Sequence, residues 1–140
     1  MDQIILLKND VKYNAKGNVY KYAIVSNKFK KISEVYFSKV KKNKIKAWKK
    51  NKTSKQFFYV IEGNIILRII DDRKKKIKVD KINLGKKFKY SRVIIPKNVW
   101  YGFKGLDKNS LIANCLTVNH KKCKMLSSEI KNKNQQFMWK

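Results

Sequence analysis

Between Val19 and Val118 the chain consists of short apolar or alternating runs, and nothing before His120 sustains the i, i+3, i+4 spacing of an amphipathic helix. That pattern points to an all-β fold. The runs fall at 19–25, 32–40, 44–48, 57–61, 65–70, 77–84, 92–95 and 111–118. In the second run Val35 and Phe37 oppose Tyr36 and Ser38. In the sixth, Ile77 and Val79 oppose Lys78 and Asp80. Two nearly continuous apolar runs flank Glu62-Gly63-Asn64, which suits a tight hairpin with a residue at positive φ. The spacing predicts a small jelly-roll barrel, with its core at about 19–120 inside a single domain spanning 1–140. Leu126, Glu129 and Ile130 form a weak stripe that predicts a short C-terminal helix over 125–133.

The length of 140 residues fits one hydrophobic core, and 43% hydrophobic and 12% aromatic residues are those of a globular chain. Met1-Asp2-Gln3 lacks the basic start of a signal peptide, and Ile4-Ile5-Leu6-Leu7 is too short for a membrane span. The expectation is a cytoplasmic protein with no membrane contact. Cys115 and Cys123 do not make a disulfide scaffold and read as buried free thiols. The net charge of +27 attracts anionic ligands. Only three of the 36 basic residues, Arg68, Arg73 and Arg92, are arginine, the side chain favoured for phosphate and base recognition. The lysines are spread along the whole chain, together with abundant asparagine and isoleucine, as AT-rich codons would produce. Nucleic acid is therefore not the expected partner.

One stretch is more specific. In Ile94-Ile95-Pro96-Lys97-Asn98-Val99-Trp100-Tyr101-Gly102-Phe103 a β run enters a proline and a turn, then re-enters a strand through an aromatic-glycine-aromatic step. Upstream lie Ser33-Glu34-Val35-Tyr36-Phe37 and Ile45-Lys46-Ala47-Trp48-Lys49, then the run from Phe57 to Gly63 followed by Asp71-Asp72-Arg73. In order and spacing these pieces resemble the dTDP-4-dehydrorhamnose 3,5-epimerases and the shorter sugar 3,4-ketoisomerases of polysaccharide clusters. The resemblance runs from about Ile32 to His120. It implies a cupin-type jelly roll that acts without a cofactor on a dTDP-4-keto-6-deoxyhexose or similar nucleotide-sugar in surface-polysaccharide synthesis. It also implies a homodimer, for which the apolar 4–7 run is a candidate contact.

Epimerisation beside a C4 ketone needs a base for the C3 or C5 proton, a stabiliser for the enolate and an acid on the opposite face. By the resemblance the base position, histidine in the family, is Lys49. The His-x-His of ketoisomerases reads Lys49-Lys50-Asn51, and Tyr101 stands at the histidine of the closing motif. The family's acid tyrosine falls near Asn114. Lys46 takes the place of a clamp arginine, keeping its charge and losing its bidentate geometry. The catalytic candidates are thus Tyr101 and Lys49, and the substrate-binding candidates are Lys46, Arg73, Gln56 and Trp100.

Four of these have a plainer alternative. For Lys49 to act as a base, its pKa must fall from about 10.4 towards 7, roughly 4 kcal/mol of environmental bias; otherwise it is a solvated strand-edge lysine. Tyr101 is an acid or a core tyrosine. Arg73 is a phosphate contact or the partner of Asp71 and Asp72. Trp48 and Trp100 stack on a ligand or belong to the core. A cupin metal site needs several histidines, and this chain has only His120; Cys115, His120 and Cys123 lack a fourth partner, so no metal is expected. Two other functions stay open: an inactive cupin that keeps a sugar-nucleotide or carbohydrate pocket, and a basic nucleic-acid-binding β-barrel.

Overall fold

The computed structural model describes residues 2–23, 25–26, 28–128 and 139. The strands are β1 (Ile5–Lys8), β2 (Val11–Lys12), β3 (Val19–Tyr20), β4 (Glu34–Lys41), β5 (Ile45–Asn51), β6 (Gln56–Glu62), β7 (Asn64–Asp71), β8 (Lys78–Gly85), β9 (Tyr90–Ile95), β10 (Trp100–Gly105), β11 (Asn109–Leu116) and β12 (Met125–Ser127). Two five-stranded antiparallel sheets, ordered β1-β9-β6-β11-β4 and β12-β5-β10-β7-β8, face one another as a jelly roll, with β2-β3 as a small separate ribbon. Period-two alternation sends one side chain in two between the sheets. Phe58, Val60 and Val93 from the first sheet meet Leu67, Ile69 and Phe103 from the second in one buried core.

The predicted runs become strands with few changes. The 19–25 run is a strand only at Val19–Tyr20, which pairs with Val11–Lys12. The apolar 4–7 run is not left open: β1 pairs with β9, Ile5 opposite Ile94. The C-terminal helix is corrected in part. Met125–Ser127 is a strand on the free edge of β5, and 129–133 lies outside the described residues. The described helical residues are a 3₁₀ turn, His120–Lys122, so no described helix is long and apolar enough to cross a membrane.

Glu62-Gly63-Asn64 is also corrected. Gly63 has a φ of 74°, but the turn does not join paired strands. β6 pairs with β9 and β11, while β7 pairs with β10 and β8, so the chain crosses here from one sheet to the other. A side chain on Gly63 would strike Ser110 and the backbone of Asn109. Two consecutive apolar strands can therefore each be buried, one in each layer.

The closing motif makes a second corner. Asn98 sits at φ 66°, and its amide donates to the Asn51 carbonyl at 2.8 Å, tying the turn to the end of β5. Asparagine tolerates this left-handed backbone and β-branched residues do not. Asn98→Val should lower unfolding free energy in urea by about 1–2 kcal/mol, whereas Asn98→Gly should stay within a few tenths of the parent.

Candidate active site

The open end of the barrel holds a pocket of about 550 Å³ lined by Glu34, Tyr36 and Ser38 of β4, Lys46, Ala47 and Lys49 of β5, Phe58 of β6, Tyr101 and Phe103 of β10, and Ile112 and Asn114 of β11. Glu34, Tyr36 and Ser38 share the inner face of β4, so that Val35 and Phe37 are turned outward, 45% and 61% exposed.

Lys46 and Lys49 are three apart, which a regular strand would place on opposite faces. The ladder between β5 and β10 pairs Phe103 with Lys46 and Tyr101 with Lys49, so three steps on β5 oppose two on β10. This bulge turns both lysines into the pocket. A regular continuation from Lys46 would have put Trp48 opposite Tyr101. Instead Trp48 is buried on the outer face, its ring 5.4 Å from that of Trp139.

Tyr101 is buried, and its ring meets Phe58 edge-on at 5.1 Å. Its hydroxyl accepts a hydrogen bond from Gln56 Nε2 at 3.1 Å, across the gap between the sheets. Burial, reinforced by the neighbouring Tyr36, pushes the Tyr101 phenol above its ordinary value, while the Gln56 bond opposes the rise. Tyr36 accepts from Asn114 Nδ2 at 2.6 Å, and burial raises its value too. Both phenols therefore keep their protons at neutral pH and are donors, not bases. Asn114 Oδ1 is buried and has no hydrogen-bond partner among the described residues. It is an acceptor that a ligand hydroxyl would satisfy.

The structure thus gathers Tyr101, Lys49 and Lys46. Gln56 stands behind the pocket, holding Tyr101 without lining it. Arg73 and Trp100 lie elsewhere. Arg73 is clasped by Asp71 through two bonds, at 2.8 and 2.7 Å, beside a separate hollow lined by Lys74, Lys76, Lys78 and Lys81. Trp100 faces outward, donates from Nε1 to Asp72 at 3.2 Å and lies under Lys50, 5.0 Å from its ring centre. Strand alternation accounts for Trp100, which precedes the inward Tyr101, and the break in alternation at the bulge accounts for Trp48. Sequence reasoning did not select Tyr36, Ser38, Phe103 or Ile112. The signal was the 34, 36, 38 polar set on β4, which alternation alone could not assign to the inside.

No family model and no curated protein matches this chain. Solved structures do. A dTDP sugar isomerase from Desulfovibrio desulfuricans G20 matches with a TM-score of 0.83 and 29% identity, over 90% of this chain and 83% of its own. A dTDP-6-deoxy-D-glucose-3,5-epimerase from Legionella pneumophila, solved in complex with dTDP-4-keto-L-rhamnose, gives 0.78 at 16% identity over 99% of this chain and 79% of its own. A TDP-quinovose 3,4-ketoisomerase from Campylobacter jejuni gives 0.74 at 14% identity over 91% and 95%. These structural neighbours are the epimerases and ketoisomerases that the sequence motifs resemble, and the fold is their cupin-type jelly roll.

The buried phenols carry a pH consequence. Tyr22, whose hydroxyl donates to the Phe57 carbonyl at 3.0 Å, is also raised, first by burial and then by Cys115. A folded value above the unfolded value of 10.0 leaves stability unaffected by these groups below pH 10. Above it the unfolded chain ionises first, so stability falls with each pH step. Urea unfolding at pH 8 to 11.5 should show this alkaline loss, and Tyr22→Phe with Tyr101→Phe should flatten it.

Proposed function

We propose that this chain binds a dTDP-linked 4-keto-6-deoxyhexose in the β4–β5–β10–β11 pocket and moves a proton at the carbon beside the ketone, as an epimerase or ketoisomerase. The observation that carries this reading is the meeting of two protonated phenols, Tyr36 and Tyr101, with two lysines, Lys46 and Lys49, in one pocket. The chemistry needs donors to the carbonyl oxygen and positive charge for the enolate and the diphosphate. Phe58, Phe103 and Ile112 give the sugar an apolar wall. The Legionella neighbour's ligand, dTDP-4-keto-L-rhamnose, is of this substrate class. A second reading, a barrel that binds such a ligand without turning it over, is favoured by the lysine at the base position. Solvent deuterium exchange into the bound sugar separates the two.

Lys46 is assigned to the diphosphate, with Lys49 closer to the ketone. Arg73, held by Asp71 away from the pocket, has no part in this assignment. Titration calorimetry with a dTDP-sugar should show Lys46→Ala weakening affinity roughly tenfold, about 1.5 kcal/mol, the low end for a hydrogen bond to a charged group, since Lys46 is solvent-exposed. Arg73→Ala should bind like the parent. An unchanged affinity in Lys46→Ala, or no binding by the parent, would count against the assignment.

We also infer a homodimer, with the outer face of the first sheet as its contact. Tyr20, Ile32, Val35, Phe37, Tyr59 and Ile61 surround an apolar hollow of about 330 Å³ there. Such a patch on a small domain favours burial. Light scattering at micromolar protein and moderate salt should give twice the chain mass, and Phe37→Asp should return the monomer.

A further inference from the structure

We propose that Glu34 is the general base of this pocket, the role that a histidine would fill on β5. The inference rests on the proton-transfer reading above. A proton beside a ketone must go to a group that is itself unprotonated near neutral pH. Among the described residues the pocket offers five ionisable side chains: Glu34, Tyr36, Lys46, Lys49 and Tyr101. Ammonium groups and phenols ordinarily hold their protons at neutral pH, and a carboxylate does not. Burial drives both phenols further in that direction. By side-chain type, Glu34 is the pocket-lining group equipped to accept.

Its position supports the same role. Glu34 lies on β4, in the first sheet, two residues from Tyr36 on the same inner face. Both side chains line the pocket from this one strand. Lys46, Lys49 and Tyr101 belong to β5 and β10 in the second sheet. A sugar between the two walls therefore meets a base on one side and cations with a proton donor on the other, the arrangement that inversion at carbon requires.

The step balances. Glu34 takes the proton from C3 or C5, and the C–H electron pair becomes the enolate double bond. The carbonyl π pair moves to oxygen, facing the ammonium of Lys49. Tyr101 then gives its proton to carbon from the opposite wall, and the C=O bond re-forms. Glu34 returns its proton to water, and water reprotonates the Tyr101 phenolate, which sits opposite Lys49 in the strand ladder. Substrate and enzyme end with the protons they began with.

The test is solvent deuterium exchange into a dTDP-4-keto-6-deoxyhexose, read by mass spectrometry, alongside calorimetric binding of the same compound. Glu34→Gln should slow exchange by about 10²-fold or more while affinity stays within about threefold. Glu34→Asp should recover part of the rate. Exchange by Glu34→Gln at nearly the parental rate, with Lys49→Met inactive, would overturn this proposal and make Lys49 the base, leaving the proposed function standing. Binding without exchange in the parent would overturn it in favour of the inactive barrel. Absence of both would remove the proposed function as well.

Discussion

A hydroxyl buried between two sheets must find a partner, and here that requirement joins the sheets. Tyr101 belongs to the second sheet and Gln56 to the first, and their 3.1 Å bond crosses a core of Phe58, Phe103 and Ile112. Leaving either group unpaired would cost about 1–3 kcal/mol. Both side chains are thereby held in one orientation. Because Gln56 donates to the phenolic oxygen, the phenol's own proton remains free for a ligand. A structural bond at the back of the pocket thus leaves a donor at the front.

The second constraint is one of counting. Functional positions at 46 and 49 conflict with the alternation of a strand, and the β5 bulge resolves the conflict. It sends Trp48 outward to Trp139 and brings Lys49 in beside Tyr101. Both lysines line the pocket and are exposed. An exposed lysine can keep its head in water while its stem covers apolar wall, a low-cost way to hold charge at the mouth of an apolar barrel.

The strands were legible because a half-buried strand writes its burial into period-two sequence, and the turn at Asn98 because a proline-asparagine corner has few backbone solutions. Other features depend on contacts between distant segments. Nothing local in Glu62-Gly63-Asn64 distinguishes a hairpin from a crossing between sheets; the choice lies with β9 and β10, which supply the partners. Arg73 has the chemistry of a phosphate ligand, but the two carboxylate oxygens of Asp71 already occupy its fork. On β4 the inner face is polar at Glu34, Tyr36 and Ser38, where the strand walls the pocket, and turns apolar only at Val40, where it reaches the core. Hydrophobicity predicts the reverse, so Tyr36 and Glu34 were visible as a pattern but not as a site.

β4 stands at the edge of its sheet, bonded to β11 and, among the described strands, to no other. At its far end the chain is anchored by the Asn43 amide to the Gly105 carbonyl at 2.9 Å. Among the described pocket walls, it is the strand with a ladder on one side alone. Its opening free energy therefore belongs at the low end of the molecule's range, well below that of β6 or β10, which have neighbours on both sides. A ligand that bridged the wall bearing Glu34 and Tyr36 to the second sheet would therefore be recorded first at the amides of β4, as slowed hydrogen exchange.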